Sequence, residues 1–484
     1  MVPFYCWYSD GLCLYSRIQK RLTLHFSERF RKHAMLLKPA AALFAAILPL
    51  AVYAAVDIQR WYTPEGTQVL LVERHQNPIV DVQISFKGAG SAFSPEGKGE
   101  VAGFAAALLT GGTQRLDEEA FKEQADSLAA AISSDSSSEG TAVTLRSLSR
   151  PGKLKPALSL LNQALAQPRF DAAVFERIRK QSITALQQQE TDPGFIAERA
   201  LARLNYGSHP YGRPAQTSVD SIRRITLDDI RAFYRSRYGK NNAVVAVVGD
   251  IDRRQTEALV RQALNGLPAH SSQSGTVPAV PEHLPRQQNI PFAGEQAQIV
   301  MGMPLIKRND PDYYALVAGN YILGGGGFDS RLMKELRDKH GYTYGASSSL
   351  EPSSEAGPLT IGFSTQKANT SAALAAARKV LADFSAEGPT EAELQQAKAN
   401  ITGSFPLRFD TNAKLLGYLS LIGFYNLPDD YLEAYPKAVS ALTAGQVKSA
   451  WQRRVKAENM NIVVVGAEQG ETEAAAGYRP IKRR

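Results

Sequence analysis

Metal and nucleophile chemistry is built mostly from histidine and cysteine, and both are scarce here. Five histidines follow residue 55, at His75, His209, His270, His283 and His340, and no two stand at the spacing that lets paired imidazoles share a metal. Cys6 and Cys13 are the two cysteines. The chain beyond them therefore has no disulfide, no Cys-x-x-Cys redox pair and no cysteine nucleophile. A Gly-x-Ser-x-Gly elbow is also missing. The run Gly324–Gly327 would suit a phosphate loop, but no Gly-Lys-Ser/Thr follows it, which argues against nucleotide binding. His209, within SHPYGRP (Ser208–Pro214), is read as ordering a loop rather than binding a metal.

The elements that position these residues come in two copies. Ile225–Asp250 reads ITLDDIRAFYRSRYGKNNAVVAVVGD, and a shift of 217 residues lands on Leu442–Ala467, LTAGQVKSAWQRRVKAENMNIVVVGA, without a gap. Each copy opens on a threonine, Thr226 or Thr443, placed to cap a helix N-terminus. An amphipathic helix follows, with Ile230, Phe233 and Tyr234 matched by Val447, Ala450 and Trp451. A continuous apolar strand comes next, Ala243–Val248 or Ile462–Val465, closed by Gly249 or Gly466. Such a run predicts a strand covered on both faces. Other strands are predicted at Val80–Phe86, Gln298–Met303 and Leu359–Ser364, and helices at Glu118–Ala131, Tyr313–Leu323 and Arg331–Lys339. Residues 266–292, rich in Pro, Ser and Gly, read as an extended linker. Mixed strands and helices in each half predict two α+β lobes.

Three stretches carry a family resemblance. They are NPIVDVQISFKGAGSAFSPEGKGEVAGFAAALLTGGT (Asn77–Thr113), SHPYGRP, and GGGGFDSRLMKELRDKHGYTYGASSS (Gly324–Ser349). In this order, across residues 57–468, the chain resembles the insulinase/pitrilysin metallopeptidases. The resemblance implies two homologous α/β sandwich lobes of the processing-peptidase (LuxS-like) type, at 56–268 and 291–470, with a linker at 269–290 and a tail at 471–484. Two such paired lobes would enclose a chamber for unfolded peptides.

Active members carry His-x-x-Glu-His on a helix shortly before a Gly-Thr, with a third ligand 75–80 residues on. Counted back from Gly112–Thr113, the histidine positions here hold Gly103 and Ala107, the glutamate position holds Ala106, and the third ligand falls near Ala185. None of the four can bind zinc or accept a proton, so no metal or other cofactor is expected in this chain. The resemblance also implies a contribution from the other lobe, an Arg and a Tyr seven residues apart that contact substrate at the scissile bond. Arg337 and Tyr344 stand at that spacing. The helix from Ser330 is predicted to end at Gly341 in a left-handed cap, with a strand beginning at Tyr342, so that both side chains reach one cavity. Lys87–Ser91 (KGAGS) would end an exposed edge strand, making Gly88, Ala89, Gly90 and Ser91 candidates for pairing with an extended peptide.

Composition narrows the partners. The chain is 44% hydrophobic and 21% charged, as folded proteins are. Seven basic and two acidic residues within 1–54 account for +5 of the net +8, leaving about +3 spread over the remainder, too diffuse for nucleic acid. Residues 35–55, MLLKPAAALFAAILPLAVYAA, have the n-region, apolar run and small residues of a cleaved signal peptide; residues 1–34 form a leader of uncertain role. The apolar run is short for a membrane span, so no stable span is expected after cleavage. The expectation is a periplasmic heterodimer in which a zinc-bearing homologous subunit hydrolyses peptides or unfolded proteins. The rival is a purely structural or binding subunit, as respiratory-complex core proteins are.

Overall fold

The apolar runs of each half pair into a six-stranded mixed sheet. The computed structural model describes residues 56–466, except Ser274 and His283, and residues 472–474. The leader 1–34, the signal segment 35–55 and the rest of the tail lie outside the described residues. The first lobe contains β1 (Gln59–Tyr62), β2 (Gln68–Glu73), β3 (Ile79–Lys87), β4 (Ala131–Ser136), β5 (Gly140–Leu148) and β6 (Ala243–Gly249). The second contains β7 (Arg286–Ile290), β8 (Gln296–Ile306), β9 (Ala346–Leu350), β10 (Gly357–Gln366), β11 (Asn461–Val465) and β12 (Thr472–Ala474). Their orders, β1-β2-β6-β3-β5-β4 and β12-β7-β11-β8-β10-β9, correspond in five strands, the outer place being filled by β1 from the start of one lobe and by β12 from the end of the other. The parallel pairing of β2 with β6 recurs as that of β7 with β11.

Three predicted boundaries need correction. The last linker residues, 286–290, form β7, because their backbone completes the ladder of β11. The second sheet also extends into the predicted tail, where β12 pairs with β7. The helix predicted over Glu118–Ala131 ends at Ser127, and Ala131 opens β4.

The repeat corresponds to one helix–strand unit per lobe. Thr226 accepts the Asp229 N–H while Asp229 accepts the Thr226 N–H, at the start of the helix Leu227–Arg237. Thr443 and Gln446 repeat that reciprocal cap for the helix Ala444–Arg454. Each strand ends on a glycine with positive φ, +146° at Gly249 and +100° at Gly466. At Gly249 a β-carbon would lie 2.2 Å from the Ile79 carbonyl oxygen, so the glycine is needed for closure.

The strands β6 and β11 are buried along their whole length. One face of each sheet packs on helices of its own lobe. The other faces are sealed by an exchange. The first lobe's helix Pro193–Tyr206 lies across β8 and β11, setting Ala197, Ala200 and Leu201 against Val300, Val463 and Val465. The second lobe's helix Asn412–Phe424 lies across β2, β3 and β6. Polar groups register both contacts. Asn461 donates to Asn205 at 2.9 Å in a buried pair, and Gln83 donates to the Ser420 hydroxyl at 2.6 Å.

A third junction is built on SHPYGRP. The His209 ring accepts the Tyr211 N–H through Nδ1 and bonds the Pro278 carbonyl through Nε2 at 2.9 Å, tying the linker to the first lobe. Tyr211 donates its hydroxyl to the buried carboxylate of Glu139. That carboxylate also accepts the Tyr425 hydroxyl at 2.8 Å and the Ser354 N–H at 3.1 Å, both from the second lobe. Burial, and then the Glu139 charge, hold both phenols well above their ordinary pKa. No helix among the described residues is long and apolar enough to cross a membrane.

The exchange predicts a specific sensitivity. A β-carbon on Gly423 would meet Leu70 Cδ1 and Val244 Cγ1 at 2.6 Å each. Gly423→Ala should therefore lower stability by about 1–3 kcal/mol, read as a reduced denaturant midpoint. An unchanged midpoint would mean that the helix does not seal the sheet this closely.

Candidate functional site

In the first lobe the helix Val101–Leu109 carries the positions that a zinc motif would occupy. Ala106 is buried, Gly103 and Ala107 are half-buried, and Ser134 of β4 donates to the Ala106 carbonyl at 2.7 Å. Ala185 is exposed on the helix Ala172–Gln189. The acid beside these positions is Glu100, half-buried, whose carboxyl is pushed up by desolvation and accepts a bond from Thr217 at 3.3 Å. Among the described residues no group of three His, Cys, Asp or Glu side chains could hold a metal. These residues do not fit a zinc ion.

Lys87–Ser91 does not end an edge strand. Its strand, β3, lies between β5 and β6 and is paired on both sides. Beyond the strand, Gly88 N–H bonds the Glu139 carbonyl at 2.8 Å and Ser91 N–H bonds the Ser137 carbonyl at 2.9 Å. Gly88, Ala89 and Gly90 are buried, and at Gly88 a β-carbon would meet the linker at Gly275 Cα, 2.5 Å away. Much of this backbone is already bonded within the lobe. The sheet's margin on this side is β4. Lys87 itself lies against the Phe424 ring, 5.7 Å from its centroid, and burial pushes its ammonium down to about 8, with Arg60 nearby adding to the effect.

The second lobe keeps its polar chemistry in the open. After the helix Tyr313–Asn320 the chain widens into a π-turn, Tyr321–Gly325, that crosses the edge of β9. Gly324 is needed there, since a β-carbon would stand 2.5 Å from the Ser348 nitrogen. Gly327, at φ +68°, then turns the chain so that Phe328 is 71% exposed. The next segment starts as α-helix, Arg331–Met333, and continues as π-helix, Lys334–Lys339, so the predicted helix is present with a wider winding. Gly341 closes it at φ +63°, as predicted, with the Tyr342 N–H bonded to the Leu336 carbonyl at 2.8 Å.

Arg337 and Tyr344 occupy the two sides of that closure. Arg337 is exposed, its guanidinium 4.8 Å from the Phe328 ring centroid. Tyr344 is 90% exposed. No contact joins them. The strand predicted from Tyr342 begins instead at Ala346. Thr365 binds the Tyr342 carbonyl at 2.7 Å and Thr343 binds that of Gly345 at 2.8 Å, which diverts the backbone from the ladder and leaves Tyr344 on a bend. His340 and Tyr342 stack at 4.9 Å. Beyond Tyr344, Gly345, Ser347 and Ser349 line a polar groove of about 360 Å³ on the sheet face, with Thr360 and Gln298 of the neighbouring strands and Glu198 of the helix Pro193–Tyr206.

Sequence reading did not find two residues that matter here. Phe328 had a signal, an aromatic set directly after four glycines. Glu393 had none, because it lies 62 residues from the arginine it binds. Arg331 forks onto Glu393 at 2.8 and 2.7 Å, anchoring the turn that carries Arg337 to the helix Glu391–Ser404. Burial alone would raise the Glu393 carboxyl, but Arg331 and the Thr390 N–H and hydroxyl hold it at about 2, below its ordinary 4.5. A depressed carboxylate stabilises the fold above its unfolded pKa and loses that contribution as pH falls through the folded one. Wild type should therefore melt a few degrees above Glu393→Gln near neutral pH, with the gap closing between pH 4.5 and about 2. A gap unchanged down to pH 2 would contradict the assignment.

Comparison with known proteins agrees with this geometry. Residues 68–217 match the family model "Insulinase (Peptidase family M16)", and residues 224–401 match "Peptidase M16 inactive domain". A solved peptidase M16 inactive domain from Pseudomonas fluorescens is 33% identical, with a TM-score of 0.81 over 88% of this chain and 100% of that one. "Non-peptidase homolog YmxG" of Helicobacter pylori is 25% identical over 399 residues, 82% of this chain and 91% of the relative. The periplasmic protease PqqL of Escherichia coli shares the fold at 18% identity, with a TM-score of 0.73 over 86% of this chain and 46% of PqqL. A two-lobed fold matched by these family models over most of its length places the chain in the peptidase M16 (insulinase) family.

Proposed function

We propose that this chain is the non-catalytic subunit of a periplasmic zinc-dependent peptidase, pairing with a homologous subunit that holds the metal. The observation that carries the reading is the asymmetry between the lobes. The helix Val101–Leu109 keeps its packing and has no chemistry, whereas Tyr344 stands exposed and the exposed Arg337 meets only the exposed ring of Phe328. A zinc ion held by the partner would supply the activated water. This chain's residues bind and orient: the Arg337 fork and the Tyr344 hydroxyl donate to carbonyl oxygens of the bound peptide and offset the negative charge that builds on one of them. The groove from Gly345 to Ser349 would form part of the chamber wall, and a closed chamber admits unfolded segments and excludes folded proteins. The likeness to PqqL, a periplasmic protease, and the signal-like segment 35–55 support the location.

A second reading, a structural or binding subunit, is favoured by the likeness to a non-peptidase homolog. The two separate in one assay. The chain co-expressed with a zinc-bearing homologue should cleave an unstructured fluorogenic peptide, and a chelator should abolish this. Arg337→Ala and Tyr344→Phe should each lower kcat/KM by about tenfold or more. A stable complex without activity, or one indifferent to both substitutions, would leave the structural role. Chelator-sensitive cleavage by this chain alone would overturn both.

A further inference from the structure

The Arg337 guanidinium makes no ion pair and no hydrogen bond among the described residues, although Glu335 lies on the same turn. Glu335 is engaged by Lys339 at 2.8 Å and by His340 at 3.2 Å. What Arg337 does meet is the face of Phe328. A phenylalanine 71% exposed gains little from burial, so packing does not account for it. Its turn is nevertheless held in place. The Ser330 N–H bonds the Gly327 carbonyl at 3.1 Å, and Gln396 donates to the Asp329 carboxylate at 3.1 Å.

The chemistry of this pair differs from that of a salt bridge. A guanidinium carries its five N–H donors in its plane. A carboxylate partner would occupy that fork, whereas an aromatic ring attracts the cation through its face and leaves the donors free. We propose that Phe328 is the positioning residue for Arg337. Its ring fixes the guanidinium while keeping the fork open to carbonyl or carboxylate oxygens of a bound peptide. The inference rests on the function proposed above.

Two measurements test it. In the co-expressed complex, with the unstructured fluorogenic peptide as probe, Phe328→Leu should lose about threefold in kcat/KM and Phe328→Trp should retain activity, because the ring face and not the apolar bulk is required. Phe328→Ala should cost nothing further in an Arg337→Ala background, since the ring acts through the guanidinium. Equal activity of Phe328→Leu and wild type, or the same loss with and without Arg337, would overturn the inference. An inactive complex, or one insensitive to Arg337→Ala, would instead remove the proposed function and the catalytic use of the pair with it. On the full chain alone, the Arg337 Nε–H resonance should show an upfield ring-current shift that Phe328→Leu abolishes. If that shift is missing from the wild-type chain, the positioning contact does not exist, whatever the assay gives.

Discussion

Everything in this molecule depends on two apolar strands that a single lobe cannot cover. Both β6 and β11 are buried along their entire length, yet each lobe supplies its own helices to only one face of its sheet. The second face is sealed by a helix from the other lobe, Pro193–Tyr206 in one direction and Asn412–Phe424 in the other. Each fully buried valine or leucine is worth about 1.5–3 kcal/mol over an exposed one, so separating the lobes would expose a large apolar area on both sheets. The linker is therefore not what joins the halves. It packs on the first lobe, with Val277 and Val280 buried, and follows an arrangement the exchanged helices impose.

That constraint explains how the chain keeps a peptidase fold without peptidase residues. The helix Val101–Leu109 is retained for its core face, with Val101, Phe104, Ala105 and Leu108 in the first lobe's main cluster. Gly103 and Ala107 lie on its half-buried positions, where the core sets little demand on the side chain. The second lobe shows the opposite balance. Arg331, tied to Glu393, and the close approach of Gly324 to Ser348 make a firm base for the turn, while Arg337, Phe328 and Tyr344 contribute almost nothing to the core.

The resemblance pointed to Arg337 and Tyr344, and the residue pattern pointed to Gly341, to the helix–strand repeat and to the role of His209 in ordering its loop. These signals are local: capping residues, a helix stop, a period, a spacing. What reading missed was lateral. Lys87–Ser91 looked like the end of an edge strand because nothing in VDVQISFKGAGS states how many neighbours the strand has, and β6, some 160 residues on, is one of them. Arg286–Ile290 looked like linker because RQQNI has no apolar periodicity, and the parallel ladder to β11 makes it a strand. Tyr344 looked like a strand residue until Thr365 and Thr343 bent the backbone away from the ladder.

By itself, then, the sequence determined the helix–strand repeat of two lobes and the family, and it set glycine and alanine at Gly103, Ala106, Ala107 and Ala185. Composition, short-range periodicity and side-chain chemistry are properties of residues and their near neighbours, so they are written directly in the chain. Only the tertiary structure decided that each lobe is completed by a helix of the other, that β4 and not β3 lies at the sheet's margin, and that Arg337 leans on Phe328 rather than on a carboxylate. Those outcomes depend on which segments far apart in the chain compete for the same face or the same hydrogen bonds, and that competition is settled only when the whole core closes.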